Sequence, residues 1–279
     1  MQKQIYPCLW FDGNAKAAAE LYCSLFPNSK ITTENSMVVM WELDGNKIMG
    51  LNGGPVFAIN PSISLFVLCE TIEETNKVWE KLSEGGKVMM ALDKYDWSER
   101  YGWLQDKYGM TWQISVVYNK GDKRRITPSF LFTDKRFGEA EAAINFYTSV
   151  FENSKVDRVT HYSKETPFAG KVLYSEFKLN NYQLIAMDGP GDHKYTFNEG
   201  VSFVIDCDTQ QQIDYYWEKL IAGGGSESQC GWLKDKFGVS WQVVPSNLGK
   251  LVNDPVKGQR VIAAFMKMKK FIIVDLENA

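Results

Sequence analysis

The sequence lacks the features that would place it in a membrane or outside a cell. It has no apolar run of about 18 residues, so no membrane-spanning helix is expected. Residues 1–13 lack the apolar stretch and the cleavage site of a signal peptide. The cysteines are odd in number, form no CxxC pair and fit neither a zinc site nor a disulfide framework: Cys8, Cys23, Cys69, Cys207 and Cys230. We therefore expect a cytoplasmic protein with reduced thiols.

An excess of positive charge is also missing. The chain has 31 Lys and Arg against 34 Asp and Glu, which gives a formal net charge of −3. A nucleic-acid-binding domain normally carries a basic face. The densest basic run, Lys120 with Lys123, Arg124 and Arg125, is typical of a solvated linker. The sequence thus predicts neither a nucleic-acid partner nor a membrane partner.

The chain does contain an internal repeat. Residues 102–113 read GWLQDKYGMTWQ and residues 231–242 read GWLKDKFGVSWQ, with identity at eight of the twelve positions. Other matched segments follow the same order along both halves of the chain. Because domains average about 100–150 residues, 279 residues accommodate two of them. We predict repeat 1 over 1–120, repeat 2 over 121–250, and a C-terminal helix and strand within 251–279.

Each repeat is predicted to contain the order strand, helix, strands twice over, which makes four βαβββ units. Asn14 is expected to cap the first helix, whose apolar residues recur at helical spacing. The strands at 37–43 and 47–51 are separated by Asp44, Gly45 and Asn46, which favour a hairpin turn. Capping boxes begin the second helix of each repeat, as Thr71 with Glu74 and Thr209 with Gln212.

Two segments fall outside the shared pattern. Residues 87–100 are mostly missing from repeat 2, as expected for an insertion in a surface connection. After repeat 2, residues 254–269 are predicted as a helix and residues 271–274 as a short strand.

The βαβββ order and the motif WL-x-D-K-x-G-x-x-W-Q, which occurs twice, resemble the PhnB-like domains. These belong to the glyoxalase/bleomycin-resistance/dioxygenase (vicinal oxygen chelate) superfamily and are also described as 3-demethylubiquinone-9 3-methyltransferase-like. The resemblance covers residues 5–118 and 126–248. It implies an α+β fold of two tandem glyoxalase-like domains, in which paired βαβββ units form a curved mixed sheet. A monomer with pseudo-dimeric tandem domains and a homodimer both remain open.

The resemblance also implies a site in the cup of the curved sheet. Metal-dependent members place one ligand on each of four strands, usually two His and two carboxylates. The matching positions here are Pro7, Gly50, Ser64 and Gln113, and in the second repeat Pro128, Ala186, Ser202 and Gln242. None is a good ligand for a divalent metal, and the only histidines are His161 and His193. We therefore expect no metal and no cofactor.

Neutral polar side chains remain at these positions as candidate ligand-binding residues: Ser64, Gln113, Ser202 and Gln242. The alternative is that the two glutamines only hydrogen-bond strand ends or the domain interface. The catalytic residue is unknown, with Glu176 and Cys230 as candidates. Because both belong to repeat 2, the second pocket is the one expected to function. Trp103, Trp112, Trp232 and Trp241 are predicted to be core residues.

Three functions are compatible with these residues. They are a metal-independent small-molecule binding protein, an enzyme of unknown reaction in the same pocket, and a methyltransferase. An S-adenosylmethionine-binding Rossmann-type domain would show a glycine-rich turn after an early strand, whereas residues 223–225 follow a predicted helix. Missing metal ligands and a missing nucleophile–base pair favour the first function, with a small organic molecule as partner.

Overall fold

The computed structural model describes residues 5–118 and 125–279. Repeat 1 contains β1 (Ile5–Phe11), α1 (Ala15–Leu25), β2 (Lys30–Glu34), β3 (Val38–Leu43), β4 (Asn46–Asn52), β5 (Ile63–Cys69), α2 (Ile72–Ser83), β6 (Lys87–Tyr95), β7 (Ser98–Gln105) and β8 (Thr111–Val116). Repeat 2 contains β9 (Arg125–Phe132), α3 (Ala140–Val150), β10 (Lys155–His161), β11 (Val172–Leu179), β12 (Tyr182–Asp188), β13 (Val201–Cys207), α4 (Gln210–Ile221), β14 (Ser226–Glu227), β15 (Trp232–Lys234) and β16 (Ser240–Pro245). The C-terminal segment forms α5 (Leu248–Val252), α6 (Gly258–Phe265) and α7 (Ile273–Glu277).

The strands form two eight-stranded mixed sheets. Sheet A has the order β14-β15-β16-β13-β1-β4-β3-β2, and sheet B has the order β10-β11-β12-β9-β5-β8-β7-β6. The predicted α+β class with four βαβββ units is confirmed. No helix in the described ranges is long and apolar enough to cross a membrane.

Each sheet takes one βαβββ unit from each repeat. In sheet A, β1 pairs antiparallel with β13, and Cys8 lies opposite Ser202. In sheet B, β9 pairs antiparallel with β5, and Ser129 lies opposite Ser64. The two repeats are therefore joined through the middle of both sheets. The sequence did not reveal this exchange of units between the repeats. Strands β1 and β9 are equivalent, so either one could pair with β5 or with β13.

One core fills the space between the sheets. Alternate strand residues of both sheets pack with α1, α2, α3 and α4 in a single apolar cluster. Aromatic rings bridge the two sheets, since the ring centroid of Phe130 on β9 lies 5.0 Å from that of Phe203 on β13. Tyr22 on α1 lies 4.9 Å from Trp112 on β8. The opposite faces of the sheets carry separate small clusters, and we call them cup A on sheet A and cup B on sheet B.

Most local predictions hold. The hydroxyls of Thr71 and Thr209 accept from the backbone N–H groups of Glu74 and Gln212, at 3.1 and 3.3 Å, as the capping boxes predict. The side chain of Asn14, in contrast, makes no capping bond to α1. Residues 44 and 45 have φ of 47° and 80°, the conformation of a two-residue hairpin turn.

Of the two segments outside the repeat pattern, one forms as predicted and part of the other does not. Residues 87–100 form most of the β6–β7 hairpin, whereas the matching strands β14 and β15 contain two and three residues. The strand predicted over 271–274 is wrong, because α7 begins at Ile273. The Gln210 side chain, at the start of α4, donates to the carbonyl of Phe271 and accepts from the N–H of Ile273. These contacts hold the short apolar run beside α4, where it does not pair with a strand.

Candidate functional site

Strand alternation determines which predicted site residues face a cup. Ser64, Gln113, Ser202 and Gln242 alternate with core residues on their strands and lie on the opposite face of each sheet, away from the shared core. The other four positions, Pro7, Gly50, Pro128 and Ala186, face the core instead. A Cβ on Gly50 would meet the ring of Trp41, and Ala186 belongs to the core cluster.

The correction is a shift of one residue on each of these four strands. The outward residues are their neighbours Cys8, Met49, Ser129 and Ile185. A shift of one residue exchanges the two faces of a strand, so aligning the prolines selected the wrong face.

The exchange of units also regroups the site residues. Cup B combines Ser64 and Gln113 of repeat 1 with Ser129, Ile185 and Glu176 of repeat 2. Cup A combines Cys8 and Met49 of repeat 1 with Ser202 and Gln242 of repeat 2. The predicted grouping of Glu176 with Ser202 and Gln242 is therefore wrong.

A chain of hydrogen bonds crosses the floor of cup B. The Tyr101 hydroxyl donates to Gln113 Oε1 at 2.9 Å, and Gln113 Nε2 donates to Ser64 Oγ at 2.7 Å. Ser129 lies beside Ser64, and its buried Oγ has no hydrogen-bond partner among the described residues. Burial raises the pKa of Tyr101 well above its ordinary value, so the phenol stays protonated and can donate.

Aromatic side chains wall cup B, and the β6–β7 hairpin covers it. Phe66 lies 6.3 Å from both Tyr101 and Tyr174, measured between ring centroids. The Ser98 and Ser115 hydroxyls, 2.9 Å apart, attach the hairpin to β8. Tyr101 is only 6% exposed, and its ring is buried in the same cluster as Phe66. Sequence reasoning missed Tyr101 as a site residue because repeat 2 has Cys230 at the matching position.

Glu176 lies at the edge of cup B, with both carboxylate oxygens engaged. Oε1 accepts from the Tyr174 hydroxyl at 2.9 Å, and Oε2 accepts from Arg125 at 3.3 Å. Desolvation, followed by the nearby Glu176 charge, raises the pKa of Tyr174 far above its ordinary value. Each oxygen therefore accepts one hydrogen bond from the protein and keeps a second acceptor site.

Cup A has a more fully satisfied polar floor. Gln242 Nε2 donates to Ser202 Oγ at 3.0 Å, beside the buried thiol of Cys8. Burial raises the pKa of Cys8 to about 12, so this group is a neutral thiol near pH 7. At the edge of the same face, Asp206 accepts from the Tyr6 hydroxyl at 3.1 Å and from Lys47 at 3.0 Å.

Cys230 belongs to neither polar floor. Its backbone has φ of 58°, and its N–H donates to the carbonyl of Met268 at 2.7 Å. The thiol contacts Met266 Sδ at 3.8 Å. Burial raises the pKa of this thiol, which makes it a weaker nucleophile. The C-terminal segment thus holds the side chain that we expected to face a pocket.

The residues in the cups do not fit the divalent metal of the wider superfamily. The four strand positions of cup B supply two hydroxyls, one amide and an alkyl group. Those of cup A supply a protonated thiol, a thioether, a hydroxyl and an amide. Divalent metals in such sites require carboxylates, imidazoles or thiolates. His161 pairs with Glu141, and His193 binds the Pro190 carbonyl, so both histidines have partners elsewhere.

The duplicated motif builds two matching buried carboxylates. Asp235 accepts from the Tyr147 hydroxyl at 2.7 Å, from Trp241 Nε1 at 2.8 Å, and from two backbone N–H groups. Asp106 makes the same four contacts in repeat 1, with Tyr22 and Trp112. Burial raises the pKa of Asp235 to about 6 against the effect of these donors.

These contacts give the motif a structural role, because they attach a β-turn to a helix and a core strand. Trp112 and Trp241 are fully buried, as predicted. Trp103 and Trp232 are only partly buried.

Comparison with known proteins supports the reading of two repeats. The family model described as 3-demethylubiquinone-9 3-methyltransferase matches residues 3–115 and 124–244. Protein YjdN of Escherichia coli (strain K12) is 29% identical over 93 residues, which cover 33% of this chain and 60% of that protein. The chain therefore spans less than two thirds of this relative's length.

Two solved structures are similar to this chain to different extents. One, described as a 3-demethylubiquinone-9 3-methyltransferase, PhnB protein, from Bacillus cereus, is 33% identical. The alignment covers 39% of this chain and 96% of that one, with a TM-score of 0.38. Glyoxalase I from Zea mays is 10% identical with a TM-score of 0.56, and the alignment covers 88% of this chain and 94% of that one. At that identity the likeness shows the fold alone.

Proposed function

The chain belongs to the 3-demethylubiquinone-9 3-methyltransferase family, and from this premise we propose that it is a metal-independent binding protein for a small organic molecule. The ligand would be uncharged or weakly polar and would lie in cup B. The neutral side chains of Ser64, Gln113 and Ser129 would form the floor of this site, and aromatic side chains would form its walls.

One observation carries the proposal, namely the unpartnered hydroxyl of Ser129. A buried polar group without a hydrogen bond costs about 1–3 kcal/mol. This one lies beside Ser64, the end of the Tyr101–Gln113–Ser64 chain, and beside Ile185 of the apolar cluster around Phe66. An apolar wall with a few convergent polar groups is the usual composition of a small-molecule site. A ligand that bonds Ser129 would remove the cost.

Cup B is favoured over cup A, which reverses the expectation from the sequence. In cup A, Ser202 and Gln242 bind each other, and no buried polar atom of that floor is without a partner among the described residues. The titratable Glu176 also belongs to cup B. Of the two residues that favoured the Gln242 pocket, Glu176 belongs to cup B and Cys230 belongs to neither cup, so the proposal moves to the Gln113 pocket.

Entry to cup B requires the β6–β7 hairpin to move. Its pairing is interrupted by three register shifts, between Val88 and Tyr95. Bulges of this kind weaken a ladder and are common next to binding sites. The Tyr101 hydroxyl then acts as a substitute donor, which holds Gln113 in position until a ligand takes its place.

The methyltransferase reaction in the family description receives no support from this fold. Both described sheets are mixed, and the glycines at 223–225 follow α4 with positive φ at Gly223 and Gly224. They end a helix, whereas a cofactor loop follows a strand. An enzyme of another kind in cup B would need a base, and Glu176 lies at the edge of the cup, held by Tyr174 and Arg125, so binding is the simpler function.

The proposal predicts unequal effects of two matched substitutions. A library of uncharged aromatic carbonyl compounds, screened by ligand-observed NMR, would supply a probe for calorimetry. Gln113→Ala and Ser129→Ala should each weaken binding of this probe several-fold, since a net hydrogen bond contributes about 0.5–1.5 kcal/mol. Gln242→Ala, the matched control in cup A, should leave affinity unchanged, and so should dialysis against EDTA. A loss confined to Gln242→Ala, or loss of binding after EDTA, would refute this assignment.

A further inference from the structure

A second cleft, outside cup B, lies at the start of α1. It has a volume of about 480 Å³ and is lined by Trp10, Asp12, Asn14, Phe57, Gln105 and Tyr108, among others. All of its lining residues come from repeat 1. The volume falls within the range of small-molecule sites, and the lining combines aromatic rings with polar and charged groups.

Repeat 2 offers an internal comparison, because there an arginine occupies the equivalent place. The connection between strand and first helix runs over residues 12–14 in repeat 1 and over residues 133–139 in repeat 2. This longer connection carries Arg136. A Cβ placed on Gly238 would lie 3.8 Å from an Arg136 guanidinium nitrogen. A Cβ on Gly109, the matching motif glycine, would meet only Ile59, at 3.9 Å.

The partner of that guanidinium also has a counterpart in repeat 1. Arg136 Nη1 donates to Glu139 Oε2 at 3.2 Å, and Glu139 is the residue immediately before α3. The residue immediately before α1 is Asn14. Its Oδ1 is buried and has no hydrogen-bond partner among the described residues. Repeat 1 thus retains the acceptor but lacks the donor.

We infer that this cleft binds a small guanidino or amidino compound that also carries a carboxylate. The flat cation would donate to Asn14 Oδ1 and to the Asp12 carboxylate, in the position that Arg136 takes in repeat 2. The ring of Trp10 lines the cleft, whereas the ring of Tyr108 already has the Lys107 ammonium 5.3 Å from its centroid. Lys87 and Lys107, which also line the cleft and are exposed, would meet the carboxylate end.

Calorimetric titration with 4-guanidinobutyrate tests this site, and 4-aminobutyrate is the matched probe without the planar fork. We expect 4-guanidinobutyrate to bind at millimolar concentrations or below, and 4-aminobutyrate about tenfold more weakly. Asn14→Leu should weaken guanidino binding about tenfold, and Asn14→Asp, which adds a charge, should strengthen it several-fold. Glu139→Gln, the same position in repeat 2, should leave binding unchanged, as should Gln113→Ala in cup B.

Two results would overturn the inference. One is no binding of 4-guanidinobutyrate to the unaltered protein. The other is equal binding by the unaltered protein and both Asn14 variants, each shown to be folded by its thermal transition. Because Gln113→Ala acts only on cup B, failure here is distinguishable from failure of the proposed function.

Discussion

The Asp235→Ala variant is expected to lose about 4 kcal/mol of unfolding free energy. The change leaves four donors without an acceptor in the core, on Tyr147, Trp241, Phe237 and Val239. Each unsatisfied buried group costs about 1–3 kcal/mol. These costs do not add fully, because the neighbours share one site and relax together.

Urea unfolding followed by tryptophan fluorescence measures this loss. Asp235→Asn is the matched control, because it retains one side-chain oxygen as an acceptor and should be less destabilising. Asp106→Ala should resemble Asp235→Ala, since its carboxylate makes the same four contacts in repeat 1. A loss below about 1 kcal/mol for Asp235→Ala would show that the motif does not stabilise the core in this way.

The Phe203→Ala variant is expected to lose about 3–5 kcal/mol, the range for deleting a large buried ring. Phe203 is fully buried between the sheets, where its ring lies 5.0 Å from that of Phe130 and 5.6 Å from that of Trp241. Deleting it leaves a cavity where sheet A meets sheet B.

The conservative variant separates cavity formation from general disruption. Phe203→Leu keeps most of the volume and should cost less than about 1.5 kcal/mol. Both variants should unfold in a single transition with an unchanged dependence on urea. Equal losses for Phe203→Ala and Phe203→Leu would contradict the cavity argument.

Much of the fold follows from local sequence patterns. The helical spacing after Asn14, the capping boxes at Thr71 and Thr209, and the turn at Asp44 each depend on neighbouring residues, and each element forms as predicted. The short apolar run after Lys270 was misread, because its conformation depends on contacts with the distant Gln210.

The site could be predicted only in part. Ser64, Gln113, Ser202 and Gln242 were placed on the correct face. Ser129 was missed, although the alternation of Ile126, Phe130 and Phe132 toward the core is a sequence signal that it faces outward. The role of Tyr101 could not be predicted, because it depends on the β6–β7 hairpin that covers cup B. The role of Cys230 could not be predicted, because contacts with the C-terminal segment determine its position.

The exchange of units between repeats lay beyond any local pattern. Strands β1 and β9 present equivalent faces to a neighbour, so hydrophobic alternation is satisfied by either pairing. The choice depends on how the whole chain packs. This choice of strand pairing decides which side chains share a cup, and therefore whether Gln113 or Gln242 lies with Glu176 and Ser129.

Disulfide formation tests this exchange most directly. Cys8 on β1 faces Ser202 on β13 as a cross-strand partner, within the spacing that a disulfide bridges. When the protein is refolded under mild oxidation, so that the Cys8 thiol is accessible to the oxidant, Ser202→Cys should yield a cross-linked peptide joining positions 8 and 202, detected by mass spectrometry. Ser64→Cys is the matched control, since position 64 would face Cys8 if each repeat closed its own sheet. The account predicts a cross-link in the first variant alone, and a cross-link in Ser64→Cys alone would contradict it.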